Sequence, residues 1–282
     1  YKRQLHCYSN DSINHFSIAW NDSLFMESWE VKCVSDTRPP FYEITEVKPL
    51  NNATPHALFI DLGASASDVW VVNDGYWGIA VTEGQRYNFQ FYLFTEELKN
   101  TVVTAALLDC EEQIVVSKNF QIERDGSWNH YEGAFTVDTT ANDLRFALLL
   151  PHKGKVYIDF VSMFPENTFC GHKNGLREDV AGMLRDLRPD FVRWPGGCIV
   201  EGLTMDNRIK WKETIGDIVK RPGEYNLWGY RSTYGFGYHE FLQFCEDIDA
   251  DGLFVCNAGM SCLFRNGCLL YTSPSPRDRT RS

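Results

Sequence analysis

Residues 191–202, which read FVRWPGGCIVEG, form the stretch of the sequence best suited to chemistry. Its first residues are the aromatic and β-branched types that are typical of a buried strand. Pro195 ends that strand because proline has no N–H to donate to a neighbouring strand. Gly196 and Gly197 then allow a sharp turn and leave space in which a ligand can approach the backbone.

Three polar side chains flank this turn, namely Arg193, Cys198 and Glu201. Their guanidinium, thiol and carboxylate groups follow the end of a strand, which is where an α/β barrel builds its active site. The same residue types also fit a core strand followed by an ordinary loop. Taken alone, the stretch therefore leaves a functional and a structural interpretation open.

The elements that must position this turn fall into regions with different patterns. Residues 1–27 have no hydrophobic period and are predicted to be irregular. Residues 28–164 contain short alternating strands separated by turn residues, which predicts an antiparallel β-sandwich of the jelly-roll type. In residues 165–267, helical and apolar strand patterns alternate, as they do in a parallel sheet or barrel.

The region 165–267 contains the turn, and its pattern predicts how the turn is held. Apolar runs predict strands near residues 191–194 and 253–257. A helical period over residues 238–248 predicts a helix between them, so we expect the two strands to run parallel.

The last residues, 268–282, follow neither pattern. They are rich in proline, serine and arginine and have little apolar content, so we expect them to lack regular structure. The run resembles a translated sequencing-adapter tail, and we expect it to be non-native. A native basic tail is the alternative.

The composition narrows the class of partner. The net charge of −11, with acidic and basic residues interspersed, disfavours nucleic acid, because that partner would require a basic face. The apolar runs are far shorter than a membrane span, so no membrane partner is expected. The nine cysteines include no CxxC pair, so their spacing predicts neither a zinc site nor a complete disulfide framework. The oligomeric state is not predicted by any pattern.

Several further segments occur in a recognisable order between residues 162 and 262. They are FPENTF at 164–169, KNGLR at 173–177, RWPGGCIVEG at 193–202, WKETIG at 211–216, RPG at 221–223, WGY at 228–230 and NAGMS at 257–261. Together they resemble the family-51 α-L-arabinofuranosidases. Less specific segments, DGYWGIAV at 74–81 and VYID at 156–159, are similar to the carbohydrate-binding-like domain that precedes the barrel in longer members.

The resemblance implies a β plus α/β fold: an N-terminal antiparallel β-sandwich of the jelly-roll, carbohydrate-binding-like type, followed by a partial (β/α)8 TIM barrel. It implies a glycosidase that removes terminal α-L-arabinofuranosyl groups with retention from arabinose-containing glycans. Two glutamates perform this reaction, so no metal or organic cofactor is implied. The substrate class favours an extracellular or periplasmic location.

The two family glutamates belong to later segments, and no Asn-Glu pair follows Asn257. We therefore expect an internal fragment that contains no catalytic residue and is inactive. Glu201 and Glu213 would be the obvious acid/base pair without the resemblance. The resemblance gives them no such role, and we interpret them as residues that fix the loop.

The resemblance implies four substrate-binding residues, each with a structural alternative. Arg193 corresponds to the arginine beneath the family nucleophile, or it forms a structural salt bridge. Cys198 stands where the family places a small polar residue against the sugar hydroxyls, or it is core. Trp228 packs against the sugar, or it forms a structural lid. Asn257 binds substrate, or it caps a turn. The remaining residues of the site loop are Trp194, Pro195, Gly196, Gly197 and Glu201.

Two other functions remain open from the sequence. One is a non-catalytic glycan-binding module in residues 28–164, where Trp70, Tyr76 and Trp77 could form an aromatic platform. The commoner fate of such aromatic side chains is burial in a core. The other is a related barrel glycosidase with a different sugar specificity, because barrels support many chemistries.

Overall fold

The computed structural model describes residues 28–34, 40–64, 67–75, 77–123, 125–228 and 231–262. The chain divides into two compact units, Tyr1–Asp179 and Val180–Ser282. The predicted irregular segment 1–27 and the predicted tail 268–282 lie outside the described residues. Within those residues, no helix is long and apolar enough to cross a membrane.

Within the described residues, the first unit contains eleven strands. They are β1 (Trp29–Cys33), β2 (Phe41–Thr45), β3 (Ala57–Asp61), β4 (Val69–Asn73), β5 (Ile79–Val81), β6 (Arg86–Glu96), β7 (Val102–Leu108), β8 (Ile114–Gln121), β9 (Trp128–Thr136), β10 (Ala141–Leu150) and β11 (Lys155–Pro165). One sheet has the order β1-β4-β10-β7-β8, with β5 also paired to β10, and the other has the order β2-β3-β11-β6-β9. All these pairings are antiparallel, as predicted.

One hydrophobic core joins the two sheets. In β6 every second side chain is buried, which confirms the alternation expected of a strand with one face in the core. The ring of Phe91 in β6 lies 5.2 Å from that of Phe120 in β8, edge to face. Phe89 in β6 lies 6.0 Å from Phe146 in β10. Because β6 belongs to one sheet and β8 and β10 to the other, these aromatic pairs hold the sheets face to face.

The second unit contains fewer elements. Helix α1 (Glu178–Asp186) spans the point of division, and it is followed by β12 (Phe191–Trp194), α2 (Gly197–Glu201), β13 (Glu224–Tyr225), β14 (Arg231–Ser232), α3 (Tyr238–Asp247) and β15 (Asp251–Phe254). Short 3-10 turns cover Trp211–Thr214 and Ile218–Lys220. β12 and β15 pair in parallel, so the predicted parallel strands and the helix between them are confirmed.

The strand β15 begins two residues earlier than the sequence predicts. The N–H of Asp251 donates to the carbonyl of Asp190 at 3.0 Å, so the pairing starts at the polar end of the segment. Residues 255–257 leave the strand because the side chain of Asn257 organises a turn there.

The aromatic core of the first unit gives a stability prediction. Phe91 is fully buried, and Phe91→Ala should lower the free energy of unfolding by about 3–5 kcal/mol, because it removes the ring and leaves a cavity. Phe41→Ala, at a half-exposed ring in the same unit, should cost within about 1 kcal/mol. Urea unfolding followed by tryptophan fluorescence measures both. Equal losses for the two variants would contradict the shared core.

Candidate functional site

The parallel pairing of β12 and β15 brings two turns to one edge. In a parallel pair the carboxyl ends of both strands lie at the same edge. Trp194 is paired with Phe254, and the N–H of Val255 donates to the carbonyl of Trp194 at 2.8 Å. The turn after β12 and the turn at Asn257 therefore leave the sheet side by side.

Gly196 is required by the position of Arg193. Its backbone has φ 67° and ψ 160°, a region that essentially only glycine adopts. A Cβ atom on Gly196 would lie 2.6 Å from Nη1 of Arg193, so the guanidinium lies directly over the glycine. Arg193 is exposed, and no ion pair joins it to a carboxylate in the described part of the chain. The alternative of a structural salt bridge therefore has no partner among those residues.

Asn257 uses its whole amide to hold the second turn. Its Nδ2 donates to the carbonyls of Val200 and Met260, both at 2.9 Å. Its Oδ1 accepts from the N–H groups of Gly259 at 2.6 Å and Met260 at 3.2 Å. An asparagine amide has two donor hydrogens and two acceptor lone pairs, and all four are used here. The geometry favours the turn-capping interpretation of Asn257, which also ties β15 to α2.

Helix α2 carries Cys198 and Glu201 and ends at Gly202. Gly202 adopts φ 70° and ψ 169°, and a Cβ there would lie 2.6 Å from the backbone nitrogen of Arg208. The N–H of Cys262 donates to the carbonyl of Gly202 at 2.9 Å. One sulfur or carboxylate oxygen from each of Cys198, Glu201 and Cys262 lies within 4.8 Å of the others.

The two predicted tryptophans have different surroundings. Trp194 stacks on Phe241 with 5.6 Å between ring centroids and meets Phe236 edge to face at 5.4 Å. It supports the turn from within an aromatic cluster. Trp228 is 48% exposed, and its backbone N–H donates to Oδ1 of the buried Asn226 at 2.9 Å. Its exposed position is compatible with both the sugar-stacking and the lid interpretation.

The two loop carboxylates do not lie at strand ends. Glu201 closes α2, and Glu213 lies in the 3-10 turn Trp211–Thr214. Within the described residues, neither of the segments 195–197 and 255–257, which follow β12 and β15, contains a carboxylate. The edge described here offers the guanidinium of Arg193 and, on α2, the thiol of Cys198 with the single carboxylate of Glu201, but no pair of carboxyl groups for glycoside hydrolysis.

Arg221 and Glu240 form an ion pair that sequence reasoning missed. Arg221 is buried and makes two bonds to Glu240, Nη1 to Oε2 at 3.0 Å and Nη2 to Oε1 at 2.8 Å. It also donates to the carbonyls of Gly216 and Tyr234, both at 2.8 Å. Glu240 further accepts from the N–H of Gly237 at 2.9 Å. This clamp fastens the long loop after α2 to the start of α3.

The clamp keeps the Glu240 carboxyl ionised. Burial by itself would raise the pKa of this carboxyl, but the hydrogen bonds from Arg221 and from the Gly237 backbone, with the charge of Arg221, lower it below its ordinary value of 4.5. A second buried pair lies in the same loop, where the hydroxyl of Tyr234 donates to Oε2 of Glu224 at 2.9 Å. Burial and the charge of Glu224 raise the pKa of Tyr234 far above its usual range, so it remains a donor.

The described residues of the first unit give little support to the interpretation that Trp70, Tyr76 and Trp77 form a glycan-binding platform. Trp77 is exposed, Trp70 in β4 is half-buried and lies opposite Leu149 of β10, and Tyr76 lies outside the described residues. A cleft of about 540 Å³ lies on the β6-β9-β11 face, and its lining is mainly polar and charged, including Arg86, Gln90, Lys118 and Glu132. The cleft does not contain the predicted aromatic residues.

The turn geometry predicts that two neighbouring glycines respond differently to substitution. Gly196→Ala should lower the free energy of unfolding by about 1–3 kcal/mol, because its backbone region excludes side chains, and should displace the Arg193 guanidinium. Gly197 also has a positive φ of 59°, but open space surrounds its Cβ position. Gly197→Ala should therefore leave the Arg193 Nε–Hε resonance in place in NMR spectra. The same shift of that resonance in both variants would contradict the close packing of the Arg193 guanidinium over Gly196.

The clamp predicts a pH-dependent contribution to stability. Arg221→Met should lower the free energy of unfolding by about 2–3 kcal/mol at neutral pH, because it leaves the Glu240 charge without its partner. Arg185→Met, at the exposed pair with Asp186, is the matched control and should cost at most about 0.5 kcal/mol.

The sign follows from the lowered pKa of Glu240. Its contribution is fully present above pH 4.5 and is lost as the pH falls through the folded-state pKa. The stability difference between the wild type and Glu240→Gln, measured by urea unfolding, should therefore shrink from pH 7 to pH 3. A difference that is constant over this range would show that folding does not lower the pKa of Glu240.

Residues 183–268 match the family model described as the alpha-L-arabinofuranosidase 1 domain. The chain is 35% identical over 204 residues to an extracellular exo-alpha-L-arabinofuranosidase of Streptomyces chartreusis, covering 68% of this chain and 24% of that protein. It is also 35% identical over 201 residues to alpha-L-arabinofuranosidase 1 of Arabidopsis thaliana, covering 71% and 29% respectively. The chain thus spans between a quarter and a third of the length of these relatives.

A solved structure shares the fold. An arabinose-bound GH51 α-L-arabinofuranosidase superposes on 94% of this chain and 42% of its own with a TM-score of 0.81 and 25% sequence identity. The superposition covers a larger part of this chain than either compact unit contains. The similarity therefore extends to both the antiparallel sheets and the parallel pair.

Proposed function

Because this chain is a GH51 α-L-arabinofuranosidase-like segment, we propose that it supplies part of the sugar-binding face of a glycoside hydrolase. That enzyme removes terminal α-L-arabinofuranosyl groups from arabinose-containing polysaccharides and oligosaccharides. The observation that carries the proposal is the strand-end turn after β12, where the exposed guanidinium of Arg193 lies over Gly196.

We propose that the two antiparallel sheets are the accessory β-sandwich and that β12, α3 and β15 belong to a (β/α)8 barrel, with the boundary near residue 165. Exposed apolar side chains on the parallel pair support this arrangement. Phe191 is 59% exposed and Leu253 is 50% exposed. In a closed barrel, side chains on both faces of every strand are covered by neighbouring strands and helices.

Arg193 is the proposed partner of the enzyme's nucleophile. A retaining glycosidase needs an ionised carboxylate at the anomeric carbon, and a fixed guanidinium keeps such a carboxylate charged and oriented. The glycine under Arg193 and the absence of a competing ion pair within the described residues leave its outer face available. Two further residues, Cys198 and Trp228, are proposed to contact the sugar, and Asn257 is proposed to position Cys198 by fastening α2.

We propose that the carboxyl groups that break the bond come from outside these 282 residues. The two groups must lie roughly 5–5.5 Å apart at the sugar. Glu201 and Glu213 lie on α2 and in a 3-10 turn and not after a strand. The proposed location of the enzyme is extracellular, since one relative is named as an extracellular enzyme.

A chimera tests the proposed function. The matching segment of the Arabidopsis relative is replaced by residues 40–262 of this chain, and release of p-nitrophenol from the α-L-arabinofuranoside is measured. We expect turnover by the chimera and none above background by the isolated chain. Arg193→Ala in the chimera should lower kcat/KM by about 100-fold or more, the effect expected when a buried charge loses its partner.

Two controls test whether the activity of the chimera depends on Arg193 and on the arabinofuranosyl group. Arg185→Ala, at an exposed arginine of the same unit, should leave kcat/KM unchanged. The p-nitrophenyl β-D-xylopyranoside tests the alternative of another sugar, and preference for it would overturn the arabinofuranosidase assignment. Turnover by the isolated chain that vanishes on Glu201→Gln would show that this loop carboxylate is catalytic.

A further inference from the structure

We propose that Cys198, Glu201 and Cys262 bind a thiophilic divalent cation of the Zn²⁺ class. This site shares Cys198 with the proposed sugar-binding face but uses different chemistry, and its test does not depend on the proposed hydrolase function. The spacing of the three ligands does not predict the site, because they do not form a CxxC pair.

The distances suit a single ion. The two sulfur atoms and one carboxylate oxygen lie within 4.8 Å of one another. Zn²⁺ binds thiolate sulfur at about 2.3 Å and carboxylate oxygen at about 2.0–2.2 Å, which places tetrahedral ligands roughly 3.5–4 Å apart. The three atoms must therefore approach one another by at most about an ångström, a shift of the size that side-chain rotation supplies.

The backbone that carries the ligands is held by hydrogen bonds. Cys198 and Glu201 are three residues apart on α2 and so project from one face of the helix. Cys262 is tied to the end of that helix by its N–H bond to the carbonyl of Gly202, at 2.9 Å. The side chain of Asn257 adds a bond to the carbonyl of Val200, also at 2.9 Å. A site built on such a frame loses little conformational entropy on binding.

The donor set selects the class of cation. Two thiols favour soft and borderline ions, whereas Mg²⁺ and Ca²⁺ require oxygen ligands. Cys262 is buried, and Cys198 and Glu201 are half-buried, so the ion has protein on one side and a route to solvent on the other. Three protein ligands leave one position for water.

Cobalt binding tests the site directly. The reduced 282-residue chain is titrated with Co²⁺ under nitrogen, and thiolate-to-cobalt charge-transfer absorption is recorded, after which Zn²⁺ displaces the cobalt. We expect one ion that is lost or bound at least about tenfold more weakly in Cys198→Ser, Cys262→Ser and Glu201→Gln. Cys256→Ser, an exposed cysteine of the same unit, is the matched control and should bind as the wild type does.

Glu201→Gln keeps the experiment decisive if a cysteine variant fails to fold. It preserves the size of a half-buried side chain, and its far-ultraviolet circular dichroism should match the wild type. Zn²⁺ should also raise the melting temperature of the wild type but not that of Cys262→Ser. Absence of charge-transfer absorption in the reduced wild type would overturn the proposal. Equal absorption in the wild type and Cys262→Ser would overturn it as well.

Discussion

The parallel register of β12 and β15 is the constraint on which the geometry of the candidate site depends. It places the turn after Trp194 beside the turn at Asn257, because both strands end at one edge. The amide of Asn257 then fastens β15 to α2 through the carbonyl of Val200. A slip of one residue would break this bond and turn Arg193 to the other face of the pair. The position of the guanidinium thus follows from the pairing and not from its own contacts.

Both ends of α2 have backbone conformations in the positive-φ region. Gly196 and Gly202 adopt conformations that side chains rarely allow, and the first leaves the space that Arg193 fills. Such positions persist only where the surrounding structure fixes them. In the long loop that follows, the buried pair of Arg221 and Glu240 fixes the backbone, because its hydrogen bonds reach the loop at two carbonyls and α3 at its first turn. The residues that hold the long loop are therefore different from those that form the turn around Arg193.

Local patterns were sufficient to predict the antiparallel strands and the parallel pair with its helix, but not the short helix α2. The alternation in β6 identifies its buried face because a strand has a period of two, and the helix between two apolar runs requires them to be parallel. The contacts made by folding were not predictable in this way. No spacing rule relates Arg221 to Glu240, or Cys198 to Cys262, since only the path of the loop brings them together. The resemblance carried by the RWPGGC segment indicated the site, but not which of its residues hold the turn.

The central claim is that the edge where β12 and β15 end binds an arabinofuranosyl group. NMR titration of the ¹⁵N-labelled chain with methyl α-L-arabinofuranoside, and with methyl β-D-xylopyranoside as the comparison sugar, tests it most directly. The account predicts saturable shifts of the Arg193 Nε–Hε, the Gly196 and Gly197 amides and the Trp228 indole, with the arabinofuranoside alone. Shifts confined to residues of the two antiparallel sheets, or equal shifts with both sugars, would contradict it.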